Sequence, residues 1–321
     1  MKILMIGLGS IGKRHITNLK FLGYHDLIAF RSRLKKEEFC EKNNVKEYFN
    51  LDEALNEKPD IIFLTNPTSL HIPLALKVLK KTTAHLFIEK PISNSLEGLN
   101  TLQRLVEEKG IIAMVGYNMR FHPLLKEIKS ILKNNRIGEV VGYRSIYGEF
   151  LPSWHPWEDY RKGYSARDDL GGGTLLTLSH DIDMAIWFFG RVKESQGLLS
   201  EKKVLNTTTD ECSIMSLKHE NGIIGSIFLD YLQEPPNRTL EIIAEKGKII
   251  WDYYKNSLTI YERSTKQEEV FKTPTNFERN DMFIEEINHF LGCIKNNENP
   301  MVTIEDGIEV LNVVLKVKTV K

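Results

Sequence analysis

At 321 residues the chain exceeds what one hydrophobic core usually organises, so two domains are expected. An apolar fraction of 41% and a charged fraction of 27% exclude a disordered, fibrous or disulfide-stapled miniature fold. The 43 basic residues balance 43 acidic ones, which leaves no net field to draw the molecule to nucleic acid or to an anionic membrane; any anion site has to be local.

The apolar opening, Lys2 to Ile6, is interrupted by glycines and then by Lys13, Arg14 and His15, too early for a signal peptide, and reads as a first strand. No apolar run reaches the roughly twenty residues that span a bilayer. Cys40, Cys212 and Cys293 are few, odd in number and far apart. That pattern fits reduced thiols, and the expectation is a cytoplasmic protein without disulfides.

Strand-length apolar runs then alternate with helical patterns: Ile3–Ile6, 13–22, Leu27–Phe30, 34–43, 51–57, Ile61–Leu64, a helix from about Ile72 to Lys80, His85–Ile88, 95–109 and Ile111–Val115. This rhythm predicts parallel strands joined by crossovers, a doubly wound α/β Rossmann sheet over residues 1–120. Beyond it come a helix at 124–133, a strand at 139–148, a long helix at 174–189, and short β runs at 192–199, 210–218, 223–232, 238–245, 248–254 and 257–262. Helices at 277–295 and 304–318 close the chain, with Asn276 and Thr303 as N-caps. Residues 121–321 are therefore expected to form an α+β substrate-binding and oligomerisation domain around an open, mostly antiparallel sheet. Its uncovered face predicts a homodimer or homotetramer.

Gly7-Leu8-Gly9-Ser10-Ile11-Gly12 fits G-x-G-x-x-G between a first strand and an amphipathic helix. Gly7 permits the tight turn, Gly9 lets the backbone approach a pyrophosphate, and Gly12 allows close packing of helix on strand. Ser10 and Ile11 would offer amides at the helix start. A methyltransferase can carry such a turn, but the acidic residue it needs at the end of the second strand is missing. Arg31, Ser32 and Arg33 stand there instead, and arginine suits a 2′-phosphate, so NADP is expected in preference to NAD. Thr65, Asn66, Pro67 and His71 follow the strand ending at Leu64, and Glu89-Lys90-Pro91 ends the strand after it; both clusters belong to the carboxyl edge where ligands bind.

Gly171-Gly172-Gly173 leads into a helix on which Thr177, His180 and Asp183 recur at i, i+3 spacing, while Leu175, Leu178, Ile182, Ala185, Ile186 and Phe189 form the apolar stripe. The segment from Trp154 to Asp168 is dense in aromatic and ionic residues. Its Tyr160, Arg161, Tyr164 and Arg167 are candidates to stack on and clamp an anionic sugar. No His or Cys spacing fits a metal site.

Together, Gly7 to Gly12, Glu89-Lys90-Pro91, Gly116-Tyr117-Asn118-Met119-Arg120-Phe121, and the glycine triplet with His180-Asp181-Ile182-Asp183 resemble the Gfo/Idh/MocA oxidoreductases over essentially the whole chain. The resemblance implies that Glu89 lies near the nicotinamide ribose and that Lys90 contacts both cofactor and substrate hydroxyl. It places His180 opposite the nicotinamide as proton acceptor, and Asn118 and Arg120 near the cofactor and substrate. Many relatives carry an Asp about one turn before the histidine, where this chain has Leu176 and Thr177; Thr177 could still hydrogen-bond a sugar hydroxyl. Hydride transfer between nicotinamide and a sugar-like carbinol is the expected reaction, with Lys90 and His180 as its acid–base and electrostatic pair. A non-catalytic nucleotide sensor, and a tight-cofactor enzyme performing redox-neutral elimination or epimerisation, stay open at this point.

Overall fold

The computed structural model describes residues 1–32 and 37–319, so Arg33 lies outside the described residues. The chain divides into two compact units: Met1–Asn118 with Arg279–Ile308, and Met119–Glu278 with Glu309–Lys321.

In the first unit β1 (Ile3–Ile6), α1 (Ser10–Phe21), β2 (Leu27–Phe30), α2 (Glu38–Asn43), β3 (Lys46–Tyr48), α3 (Leu51–Asn56), β4 (Ile61–Leu64), α4 (His71–Leu79), β5 (His85–Glu89), α5 (Leu99–Lys109) and β6 (Ala113–Gly116) alternate. Among the described residues the six strands form one parallel sheet, ordered β3-β2-β1-β4-β5-β6. β1 and β4 are buried at every position, as continuous apolar strands covered on both faces must be. The order reverses between β1 and β4, which is where a doubly wound sheet opens a ligand crevice at its carboxyl edge. β3 was not expected: three residues, Lys46-Glu47-Tyr48, lie on an edge and show no apolar period.

The second unit holds α6 (Pro123–Lys133), β7 (Val140–Gly148), α7 (Thr174–Thr177), α8 (His180–Phe189), and strands β8 (Val192–Leu199), β9 (Cys212–His219), β10 (Ile224–Asp230), β11 (Asn237–Ala244), β12 (Gly247–Asp252), β13 (Ser257–Glu262) and β14 (Gln267–Lys272). They run in the order β14-β13-β12-β11-β7-β10-β9-β8, antiparallel except where β7 meets β10. Alternation is clean in β9, whose Ser213, Met215, Leu217 and His219 are buried while Ile214, Ser216 and Lys218 are exposed. β14 escaped the sequence reading because it is a mostly exposed edge strand containing two consecutive glutamates.

The long helix expected over 174–189 is in fact two. Leu178 leaves helical geometry at φ −96°, ψ 21°, so α7 ends at Thr177 and α8 starts at His180. The cause is anchoring from two directions. Asp210 accepts Leu175 N–H at 3.1 Å and the Thr174 hydroxyl, whereas α8 is held through Asp181 to Arg238 at 2.7 Å. Thr177 and His180 thus do not share one continuous helical face.

α9 (Arg279–Asn296) belongs to the first unit, where Phe290 stands 6.0 Å from Phe63 and 5.6 Å from Phe87 between ring centroids. It begins at Arg279, so Asn276 is not its cap; the turn before it is closed by Phe277 N–H on the Pro274 carbonyl. α10 (Ile304–Thr319) starts as expected: Thr303 N–H donates to Asp306 Oδ2 at 2.9 Å, and Asp306 N–H donates back to Thr303 Oγ1 at 3.2 Å. No helix among the described residues is long and apolar enough to cross a membrane.

One buried histidine gives the second unit a pH dependence. His122 caps α6, its Nδ1 accepting Leu124 N–H at 3.2 Å, and its ring sits against Trp251, Tyr253 and Phe277. Burial, reinforced by the Arg238 charge, pushes its pKa down to about 3. The unfolded chain therefore takes up a proton that the folded chain refuses. Stability is fully present above the ordinary histidine pKa and falls as pH drops from about 6.5 toward 3. Between pH 7 and 5 this residue should account for a loss of about 2 kcal/mol. Urea unfolding of His122→Asn, which keeps a capping acceptor without the titration, should show a shallower acid slope by about one proton. An unchanged slope would remove His122 from the account.

Candidate functional site

The turn from Gly7 to Gly12 is shaped by what its glycines exclude. Gly7 has φ +104°, and a Cβ there would lie 2.7 Å from Asn66 N; a Cβ on Gly12 would lie 2.3 Å from Gly7 O. Gly9 differs, because a Cβ there meets nothing within 4 Å. It stands at the amino end of α1, where no side chain caps the helix and no acidic residue occupies the first turn. Bare amides, the positive end of the helix dipole and open space above Gly9 fit a dinucleotide diphosphate. Ser10 is exposed and Ile11 half-buried beside it. From below, the Thr65 hydroxyl donates to Gly7 O at 2.8 Å, so Thr65 holds the turn in place.

At the end of β2, Arg31 is already engaged. Its guanidinium lies 2.9 Å from Glu37 Oε1 and 3.5 Å from Glu47 Oε1, with 11% of the side chain exposed. This arginine, expected with Ser32 and Arg33 to receive a 2′-phosphate, shares two carboxylates, one of them from β3. Ser32 is exposed.

Past β4, Asn66 Nδ2 donates to the Pro67 carbonyl at 3.0 Å, while its buried Oδ1 has no partner among the described residues and is a spare acceptor at the sheet edge. His71, expected to touch cofactor, is 1% exposed. Its ring nitrogens lie 3.0 Å from Pro91 O and 2.8 Å from Asn66 O. Histidine here ties two edge loops together, and burial holds its pKa below the usual value.

β5 ends in Glu89, followed by Lys90 and a cis peptide to Pro91. The Glu89 carboxylate, expected near a ribose, is turned to protein: Oε1 is 2.6 Å from His15 Nε2, and Oε2 accepts Lys90 N–H at 3.2 Å. Lys90 is half-buried. Asn118, 5% exposed, opens a 3-10 turn (Asn118–Phe121) directly after β6 and Tyr117.

In the second unit His180 is the first residue of α8 and is half-buried, whereas Asp181, Ile182 and Asp183 behind it are fully buried. Asp183 takes Arg120 Nε at 3.1 Å and Nη2 at 2.6 Å; the two side chains are 0% and 3% exposed. Arg120, expected near substrate, and Asp183, a substrate candidate at helical spacing from His180, hold each other, as a guanidinium buried this deeply must find a carboxylate. Asp181 likewise binds Arg238 and accepts the Ser145 hydroxyl at 2.7 Å. Two buried ion pairs therefore follow His180 directly in sequence and hold the first turn of α8.

The aromatic loop is anchored to protein groups within it and beyond it. Tyr160 OH donates to Leu205 O at 3.0 Å, Arg161 is bidentate on Asp159 at 2.8 and 3.1 Å, and Arg167 is bidentate on Asp169 at 3.0 and 2.5 Å. Each arginine of the expected clamp is thus answered by a carboxylate two residues away. Tyr164 is half-buried, and Thr177 is buried.

Sequence patterns assign no site role to His15, Glu47, Asp181 or Arg238. His15 left a signal, since Gly12, His15, Ile16 and Leu19 recur at helical spacing on the buried face of α1, and a buried imidazole requires a partner.

Comparison with known proteins agrees with this architecture. The model of an oxidoreductase family with an NAD-binding Rossmann fold, Gfo/Idh/MocA, matches residues 1–117, and the family's C-terminal domain model matches residues 125–250. Myo-inositol 2-dehydrogenase of Thermotoga maritima is 26% identical over 96% of this chain and 92% of its own length. The scyllo-inositol 2-dehydrogenase (NAD(+)) of Bacillus subtilis is 23% identical over 94% of this chain and 89% of its own. A levoglucosan dehydrogenase solved in complex with NADH and levoglucosan has the same fold, with a TM-score of 0.88 at 17% identity over 99% of this chain and 96% of that one. On the evidence of both matched regions and of the glycine turn and strand order that underlie them, the chain belongs to the Gfo/Idh/MocA family of oxidoreductases.

Proposed function

We propose that this protein moves hydride between a nicotinamide nucleotide and a secondary hydroxyl or keto carbon of a sugar, acidic sugar or nucleotide-sugar-like substrate. The observation that carries the reading is the uncapped amino end of α1, with Gly9 facing open space, at the same sheet edge as Glu89-Lys90-Pro91. The inositol dehydrogenases and the levoglucosan dehydrogenase among its relatives support a polyhydroxylated substrate.

A bound nicotinamide supplies the hydride chemistry. His180 accepts the proton of the substrate hydroxyl, and the Lys90 ammonium holds that oxygen and stabilises its developing negative charge. Asn66, Pro67 and Asn118 contribute to the nucleotide side, with Thr65, His71 and Glu89 holding that edge. Tyr160, Tyr164 and Thr177 serve the substrate side. Arg161 and Arg167 reach a substrate anion by exchanging Asp159 and Asp169 for it, at little cost because exposed ion pairs are worth about 0–1 kcal/mol. Arg120 and Asp183 act by fixing α8.

NADP is the proposed nucleotide, received by Arg31 and Ser32 with Arg33 adjoining in sequence. Glu37 and Glu47 compete for Arg31, so discrimination against NAD is modest. Arg31→Ala should raise KM for NADP about tenfold and leave KM for NAD within about twofold, as loss of one charge-assisted contact implies. Initial rates with both nucleotides over a panel of inositols and sugar acids test activity and preference together. No turnover with any of them would count against the reading, and an equal effect of the variant on both nucleotides would remove the 2′-phosphate assignment.

A second copy of the chain is proposed to cover the outer face of the eight-stranded sheet, where Ile214, Ile224 and Ile243 are exposed. A monomeric mass in solution contradicts this.

A further inference from the structure

His15 does not enter the proposed chemistry, yet it is wholly buried within the unit that carries the nucleotide turn and Lys90. It lies three residues beyond Gly12, on the helix whose amino end would face the diphosphate. That helix packs closely on the turn, since a Cβ on Gly12 would come within 2.3 Å of Gly7 O. The imidazole is gripped by Phe63, Phe87 and Phe283, with centroids 5.4, 5.1 and 6.2 Å away. Its Nε2 is 2.6 Å from Glu89 Oε1, and its Nδ1 has no partner among the described residues. A buried lone pair left unanswered costs less than a buried N–H left unanswered, and a carboxylate only accepts. The proton that matters is therefore on Nε2, donated to Glu89.

Glu89 passes the constraint on. Its second oxygen accepts the backbone N–H of Lys90 at 3.2 Å, and Gly116 on the neighbouring strand leaves the room its carboxyl needs, since a Cβ there would lie 3.3 Å from Glu89 Cδ. A chain of two hydrogen bonds thus runs from α1 to the backbone of Lys90, through a carboxylate whose side chain is 9% exposed and has little water to replace a lost donor.

We propose that His15 is a positioning residue for Lys90: its Nε2–H fixes the Glu89 carboxylate, which in turn fixes the backbone from which the Lys90 side chain departs. This rests on the reading of Lys90 as the group that holds the substrate oxygen. A histidine that served only the core would, when replaced, change stability and leave the catalytic step as it was. One that acts through Lys90 changes kcat and loses that effect when Lys90 is already gone.

The test uses His15→Asn, too short to reach Glu89, and His15→Gln, whose amide can take the place of Nε2–H, each in the wild-type background and with Lys90→Met. Steady-state kinetics with the nucleotide and the best substrate give kcat and KM, and urea unfolding confirms folded protein. The expected result is a fall in kcat of about thirtyfold for His15→Asn, with nucleotide affinity within about threefold, recovery to within about threefold of wild type for His15→Gln, and no further loss when His15→Asn is added to Lys90→Met. Full kcat in His15→Asn, failure of His15→Gln to recover, or an undiminished effect of His15→Asn in the Lys90→Met background would each overturn the proposal. Full activity of Lys90→Met alone would instead overturn the underlying reading of Lys90.

Discussion

Replacing Lys90 with methionine should lower kcat about a thousandfold while nucleotide affinity stays within about threefold. Methionine keeps an unbranched stem of similar length and removes only the charge, so the half-buried site beside cis-Pro91 can still be filled. The loss is large because the ammonium is asked to do its work where negative charge develops on the substrate oxygen, and interactions made mainly in the transition state appear in kcat rather than in KM. The diphosphate, by contrast, would be bound at the amino end of α1 by amides that this substitution does not touch. A variant that bound nucleotide weakly and turned over normally would place Lys90 among the nucleotide contacts only.

The second large effect concerns stability. Asp183→Asn should destabilise the protein by about 3–5 kcal/mol, because it leaves the Arg120 guanidinium buried without its carboxylate. Arg120→Met should cost a similar amount by removing the guanidinium that Asp183 holds at 2.6 Å. The double variant Arg120→Met with Asp183→Leu should recover much of the loss, since the penalty arises from an unmatched charge rather than from the absence of the pair. Urea midpoints of the four proteins decide the matter. If Asp183→Asn left the midpoint unchanged and raised the substrate KM, Asp183 would be a substrate ligand after all, as its helical spacing from His180 first suggested.

That contrast shows where sequence reasoning reached and where it stopped. β1 and β4 were legible because strands covered on both faces must be apolar throughout, and the Gly7 to Gly12 turn because its backbone conformation and close packing tolerate little besides glycine. β3 and β14 were hidden, since edge strands bury too little to impose a pattern. The break before His180 was hidden too: it is produced by Asp210, Arg238 and Arg120, residues distant in sequence whose pull no local periodicity records. The same holds for charges. Arg31, Arg161 and Arg167 read as available cations, but Glu37, Glu47, Asp159 and Asp169 answer them, and only coordinates reveal which neighbouring carboxylate an arginine has taken.

We propose that Lys90 and His180 serve one reacting oxygen. A double-mutant cycle on kcat/KM with Lys90→Met, His180→Asn and both together tests it most directly. Two groups acting on the same oxygen should each cost at least a hundredfold alone, and the double variant should fall no more than about tenfold below the worse single variant. Losses that simply multiply, or a His180→Asn enzyme with wild-type kcat/KM, would contradict it.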